Sequence, residues 1–193
     1  MSATGFGEVG ELLRRSTVQI VDGNRGAGSG VIWSAQGLII TNAHVARRDA
    51  AAVQLWDGRR LMGEVVARDQ AMDLAALKVR APELPAARWG DSSAARPGEL
   101  VLAVGNPFGF AGAFATGVIH MLGPLRGLGP RPWVQAAVHL GPGNSGGPLA
   151  DARGRVIGIN TMLVYSGILS GGLALAIPSN SVVEFLRARA EAA

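Results

Sequence analysis

Apolar and polar positions along this chain alternate in short bursts, not in long helical stripes. Runs rich in apolar and β-branched residues recur at 17–21, 30–33, 38–42, 52–55, 61–67 and 74–79, each bounded by Gly, Asp or Arg clusters. Such runs predict strands joined by tight turns. A second series follows at 100–104, 113–121, 134–138, 155–160 and 173–177. The Pro-rich stretch 81–97 lies between the two series and reads as a connection. Helix is predicted only at the ends. Residues 8–15 place Val9, Leu12 and Leu13 at helical spacing, weakened by Gly7 and Gly10. Near the C-terminus, Ser181 with Glu184 forms a capping-box pattern ahead of Phe185 and Leu186, which predicts a short helix. No internal repeat or low-complexity segment interrupts this pattern.

Composition supports a mostly β chain with a core of its own. At 193 residues the chain is long enough to bury roughly 70% of the surface its unfolded form exposes. Apolar residues make up 48%, and 28 glycines suit many short strands joined by turns. There is no cysteine, so neither a disulfide nor a thiol nucleophile is available.

The most informative local stretch is Pro142-Gly143-Asn144-Ser145-Gly146-Gly147-Pro148-Leu149. A serine among so many glycines reads as a tight turn that exposes its hydroxyl. Gly143, Asn144 and Ser145 are the candidate oxyanion hole, with the N–H groups of Gly143 and Ser145 facing one small space. An isolated match of this kind also fits an ordinary turn before a strand, so chain order must decide. An α/β-hydrolase elbow needs its histidine after the serine, yet His44, His120 and His139 all precede Ser145. For a subtilisin-type order, the only aspartate before His44 is Asp22, beside a Gly-Asn turn. The chymotrypsin-type order of histidine, aspartate, serine is supplied by His44, Asp73 and Ser145. His44 follows the run Leu38-Ile39-Ile40-Thr41-Asn42-Ala43 and is expected at the end of a strand. Asp73 opens the apolar segment Leu74-Ala75-Ala76-Leu77.

Chemistry requires such a trio, because a serine hydroxyl is a poor nucleophile until a neighbouring base takes its proton. His44 is the candidate base and later the acid for the leaving amine. Asp73 would hold the other ring nitrogen and stabilise the imidazolium.

Five segments together, 41–45, 73–79, 105–109, 143–149 and 176–180, resemble the protease domain of the HtrA (Deg) family of serine endopeptidases. Residues 28–32 and 90–92 extend the match. The resemblance runs from about Val18 to the C-terminal helix. It implies an all-β, chymotrypsin-like fold: two packed six-stranded antiparallel β-barrels with short terminal helices. On this reading 1–193 is one protease domain, with barrels at about 16–80 and 98–178, the connection at 81–97 and the helix at 179–190. The triad His44, Asp73 and Ser145 would lie in the cleft between the barrels.

This chain departs from the family pattern upstream of the serine. Where the family carries aspartate there is Ala137, and His139 stands at a normally small apolar position. His139 reads either as a structural histidine or as part of the specificity pocket. By resemblance Leu140 and the loop 162–172 wall that pocket, without a carboxylate. This implies cleavage after small or medium aliphatic residues in unfolded or damaged polypeptides. Substrate would lie as an added antiparallel strand along Asn160, Thr161 and Met162.

Other chemistries find little support. The net charge is +4, and the basic residues are scattered in pairs such as Arg14-Arg15, with only 5% aromatics. A nucleic-acid surface would concentrate them, so nucleic acid is not an expected partner. Gly26, Gly28 and Gly30 are not followed by Lys-Ser or Lys-Thr, the histidines lack metal spacing, and Lys78 reads as a surface lysine. Neither a metal nor a cofactor is expected. No signal segment or membrane span is visible, which as it stands predicts a cytoplasmic protein, or an exported one if a leader has been removed. The resemblance implies a homotrimer held by the N-terminal segment around Phe6. A second reading stays open: a resting or inactive protease fold used as a binding or chaperone-like module.

Overall fold

The computed structural model describes residues 5–21, 27–106, 112–164 and 173–191. A helix α1 (Phe6–Ser16) leads into β1 (Thr17–Val21), β2 (Ala27–Ile32), β3 (Leu38–Thr41), β4 (Ala50–Gln54), β5 (Arg60–Asp69) and β6 (Leu74–Val79). These six close into an antiparallel barrel in the order β1-β2-β3-β6-β5-β4. The second half holds β7 (Arg88–Trp89), β8 (Leu100–Gly105), β9 (Ala113–Pro124), β10 (Pro132–Val138), β11 (Pro148–Asp151), β12 (Arg155–Val164), β13 (Leu173–Pro178) and the helix α2 (Ser179–Ala190). Strands β11-β8-β9-β10-β13-β12 form the second barrel, closed by the pairing of β11 with β12. The fold is the expected pair of six-stranded antiparallel barrels.

Inward-facing side chains explain the closure. Val18, Ile20, Ile32, Ile39, Val53, Leu77 and Val79 fill the first barrel. Val101, Ala103, Val134, Ala136, Leu149 and Ala174 fill the second. A third cluster joins the two across the cleft, with Ile40 and Leu74 from one side and Leu102, Trp133, Ile159 and Leu175 from the other. Each buried side chain of this size stabilises the fold by about 1.5–3 kcal/mol, so the barrels are locked by the same kind of packing that fills them.

The structure refines the sequence reading in four places. The stretch 81–97 does more than connect: Arg88–Trp89 pairs in parallel with β12 as a seventh strand of the second sheet. The C-terminal helix spans Ser179–Ala190, the range the resemblance implies, and so starts two residues before the capping pattern at Ser181, with Pro178 at the cap position and no side-chain cap bond. Tertiary partners replace the capping box. Ser179 Oγ donates to Gly90 O (2.7 Å), Asn180 N–H donates to Ser92 Oγ (3.2 Å) and Asn180 Nδ2 donates to Asp91 Oδ1 (2.8 Å). Two motifs 87–89 residues apart thus interlock. Helix α1 forms despite its glycines, and at Gly10 the absence of a side chain lets the Phe114 ring approach, since a Cβ there would lie 3.1 Å from it. Val9 and Leu13 are buried there, whereas Leu12 faces outward. His44 lies not on a strand but in a turn three residues beyond β3. Among the described residues no helix is long and apolar enough to cross a membrane.

Candidate active site

The site is assembled at the cleft by three turns. The first follows β3, where the N–H groups of Val45 and Ala46 both donate to Asn42 O (3.1 Å each). This tight turn carries His44. The second precedes β6: Met72 N–H donates to Asp69 Oδ1 (2.9 Å), and Asp73 itself sits at φ 54°, a left-handed angle seldom taken by a residue with a side chain. Asn42 Nδ2 ties the turns together by donating to Asp73 O (3.0 Å).

His44 Nδ1 lies 2.8 Å from Asp73 Oδ2 and 3.0 Å from Oδ1, and His44 N–H donates to Oδ1 (3.0 Å). An ionised carboxylate only accepts, so Nδ1 carries the ring proton and Nε2 is left as a base. Thr161 Oγ1 donates to Asp73 Oδ2 (2.6 Å). Burial pushes the Asp73 carboxyl up, but hydrogen bonds from the His44 ring, Thr161 and the His44 backbone outweigh it. The net effect holds this carboxyl below the ordinary carboxylate range.

The third turn carries Ser145. Gly143 and Gly146 take φ 101° and 85°, angles that glycine adopts without steric cost. Asn144 N–H donates to Gly141 O (3.2 Å), Gly146 N–H to Asn160 O (2.7 Å) and Gly147 N–H to Asn144 O (3.0 Å). Among the described residues, no acceptor faces the N–H of Gly143 or Ser145. The Asn144 donor is spent inside the turn. Ser145 Oγ donates to Thr161 O (3.2 Å), and no hydrogen bond joins it to His44 among the described residues. Thr161 therefore touches both ends of the arrangement, with its hydroxyl on Asp73 and its carbonyl on Ser145.

Beside Ser145 lies a depression of about 190 Å³ lined by Leu140, Gly141, Pro142, Asn144, Asn160, Thr161 and Met162. The structure brings Leu140, Asn160, Thr161 and Met162 together there. His139 is exposed and outside the lining. Most of the loop 162–172 lies outside the described residues. Three residues to which the sequence reading gave no role support the site. Ser29 donates across the barrels to Gly143 O in the serine turn, and Asn106 N–H donates back across them to Ser29 Oγ. Arg131 donates to Ala71 O (2.7 Å), two residues from Asp73. Thr161 was expected as a substrate contact only. Its bond to Asp73 had no local signal.

Two antiparallel barrels with His44, Asp73 and Ser145 gathered at their cleft define a protein of the trypsin-like class. The model of the trypsin-like peptidase domain matches residues 28–159. The chain belongs to that family, in its HtrA/Deg group of serine-type endopeptidases. It is 40% identical over 165 residues to a probable periplasmic serine endoprotease, DegP-like, of Marinomonas sp., covering 83% of this chain and 35% of that protein. A protein of the same description from Halomonas elongata is 43% identical over 159 residues, or 80% and 33% of the two chains. The chain thus spans about a third of the length of the curated relatives it matches. The solved HtrA-type protease AlgW with a tripeptide superposes with a TM-score of 0.85 at 36% identity, over 95% of this chain and 62% of that one. The structure of AlgW with a decapeptide gives 0.85 at 32% identity, over 97% and 68%.

Proposed function

We propose that this chain hydrolyses peptide bonds, with Ser145 as nucleophile, His44 as general base and acid, and Asp73 as the group that orients the imidazole. One observation carries this reading: Thr161 joins the Asp73 carboxylate to the Ser145 hydroxyl, while the same carboxylate holds His44 in the tautomer that leaves Nε2 basic. Rotation of the Ser145 hydroxyl from Thr161 O toward His44 Nε2 begins the reaction. Ser145 Oγ attacks the scissile carbonyl as its proton passes to Nε2, and the N–H groups of Gly143 and Ser145 receive the oxyanion. Collapse of the tetrahedral intermediate breaks the C–N bond, and His44 gives its proton to the leaving amine. Water, deprotonated by His44, then cleaves the acyl ester and restores the hydroxyl.

Leu140 and Met162 give the depression its apolar wall, and among the described residues no carboxylate lines it. Its preferred occupant is a small or medium aliphatic side chain, presented by an unfolded polypeptide lying along residues 160–162. Discrimination among such side chains is modest, about 1–3 kcal/mol per methylene. The relatives described as probable periplasmic endoproteases support a periplasmic location. A homotrimer follows only from family resemblance; Phe6, 47% exposed on α1, is available for it.

A second reading is favoured by the Ser145 hydroxyl resting on Thr161 O instead of on His44: a protease fold held in a resting state, able to bind chains without cutting them. Labelling with a fluorophosphonate separates the two. Stoichiometric modification of wild-type protein, absent in Ser145→Ala, together with casein cleavage supports the endopeptidase. Folded protein that neither labels nor cleaves leaves the resting module.

A further inference from the structure

The Ser29 hydroxyl on β2 belongs to the first barrel, is fully buried, and donates to Gly143 O at 2.7 Å across 114 residues of chain. A hydroxyl has one proton to give and two lone pairs to fill. Asn106 fills both, since its backbone N–H and its Nδ2 each donate to Ser29 Oγ at 3.0 Å, and the same N–H is shared with Gly143 O at the longer distance of 3.4 Å. Asn106 is itself pinned by Nδ2 donating to Val18 O (3.0 Å) and by Oδ1 accepting from Gly112 N–H (3.1 Å). The single proton of Ser29 is therefore committed to Gly143. The backbone of Ser29 holds the other side of the turn, because its N–H donates to Ser145 O at 2.8 Å.

We propose that Ser29 is a positioning residue for the oxyanion hole, fixing the two carbonyls on either side of Asn144 so that the N–H groups of Gly143 and Ser145 converge. This rests on the reading of Ser145 as the nucleophile. Gly143, at φ 101°, has no side chain to resist rotation of the peptide that follows it, so the restraint comes from outside the turn. Rotating that peptide strands the Ser29 proton in a fully buried place, which is costly. The space admits little else: a Cβ on Gly147 would lie 3.2 Å from the Ser29 Cβ. The first barrel thereby sets the geometry of donors carried by the second.

The test compares Ser29→Ala with wild type in the full chain, using a fluorogenic peptide with valine before the scissile bond. Wild-type protein is first labelled with a fluorophosphonate; failure of Ser145 to label overturns the endopeptidase reading and this proposal with it. Given labelling, Ser29→Ala is expected to lower kcat and the phosphonylation rate about 10- to 100-fold, less than or near the loss of a whole oxyanion donor. KM should stay within about twofold, the scale of a factor that binding energies resolve. Affinity for a peptide boronic acid, which forms a tetrahedral oxyanion mimic, should fall in parallel, while affinity for the product peptide is kept. Val53→Ala, in the first barrel's interior, is the control for general destabilisation. A rise in KM with kcat kept, or an equal slowing in Val53→Ala, overturns the proposal. Should Ser29→Ala fail to fold, Ser29→Cys keeps the shape with a weaker donor; an intermediate loss of kcat supports the role, and wild-type kcat overturns it.

Discussion

Asp73 accepts three kinds of hydrogen bond while holding a backbone angle that costs about 1–3 kcal/mol for a residue with a side chain. The surrounding turn must hold it there, and the return is a carboxylate aimed at His44. Asp73→Asn keeps the shape but offers an amide N–H or a neutral oxygen to Nδ1, which disrupts the tautomer. A kcat loss of about 10⁴-fold with little change in KM is the expected outcome. The lowered Asp73 carboxyl also sets a pH dependence. A group whose folded value lies below its unfolded one stabilises the fold fully above the ordinary carboxyl range and loses that contribution as pH falls through the folded value. The gap in unfolding free energy between wild type and Asp73→Asn should therefore be flat down to about pH 5 and shrink below about pH 4. Urea titrations across that range measure it, and a gap that widens below about pH 4 contradicts the ionised pairing. At this scale His44, Asp73 and Ser145 were legible from order and flanking residues. The bonds that Thr161, Ser29 and Arg131 make to the site were not, since their partners lie 60–114 residues away.

Strand positions followed from apolar runs because each barrel face is buried on one side, and that pattern survives in sequence. β11 escaped notice: Pro148–Asp151 is only four residues long and starts inside the glycine-rich turn. β7 escaped as well, its two residues too few to show alternation. Helix α2 began earlier than its capping pattern because Ser92 supplies from a distance what a local cap supplies nearby. The serine turn shows how tightly element and site are joined. Gly146 packs against β2 and β3, and a Cβ there would run into Ser29 O and Thr41 Oγ1. The angle of φ 85° penalises any side chain besides. Gly146→Ala should cost more than about 1–3 kcal/mol and slow fluorophosphonate labelling along with it. Thermal melting and labelling kinetics on the same sample check both. A variant that melts like wild type and labels at its rate would show that the turn tolerates displacement.

On the proposed mechanism the two barrels must hold their relative position to a fraction of an ångström, because His44 sits on one and Ser145 on the other. Apolar packing across the cleft supplies most of the adhesion but little direction. Direction comes from polar straps: Thr161 reaches the Asp73 carboxylate itself, and Arg131 reaches the turn that carries it. Its guanidinium lies 3.9 Å above the Trp133 ring and donates to Ala71 O at 2.7 Å. Partial burial lowers its pKa, and the nearby Asp73 charge opposes that shift. A planar group is needed to stack and donate at once, which an ammonium cannot do. Arg131→Ala removes a cation–π contact of about 0.5–2 kcal/mol and a hydrogen bond of about 0.5–1.5 kcal/mol. Arg131→Lys keeps the charge and loses the stack. If the strap positions the turn, both variants should unfold at lower urea concentration and lose kcat about 3- to 30-fold, in keeping with how steeply rate depends on alignment. Lys should recover little of it. If charge alone matters, Lys restores kcat and Ala does not, and steady-state kinetics on the pair decides between a strap and a field.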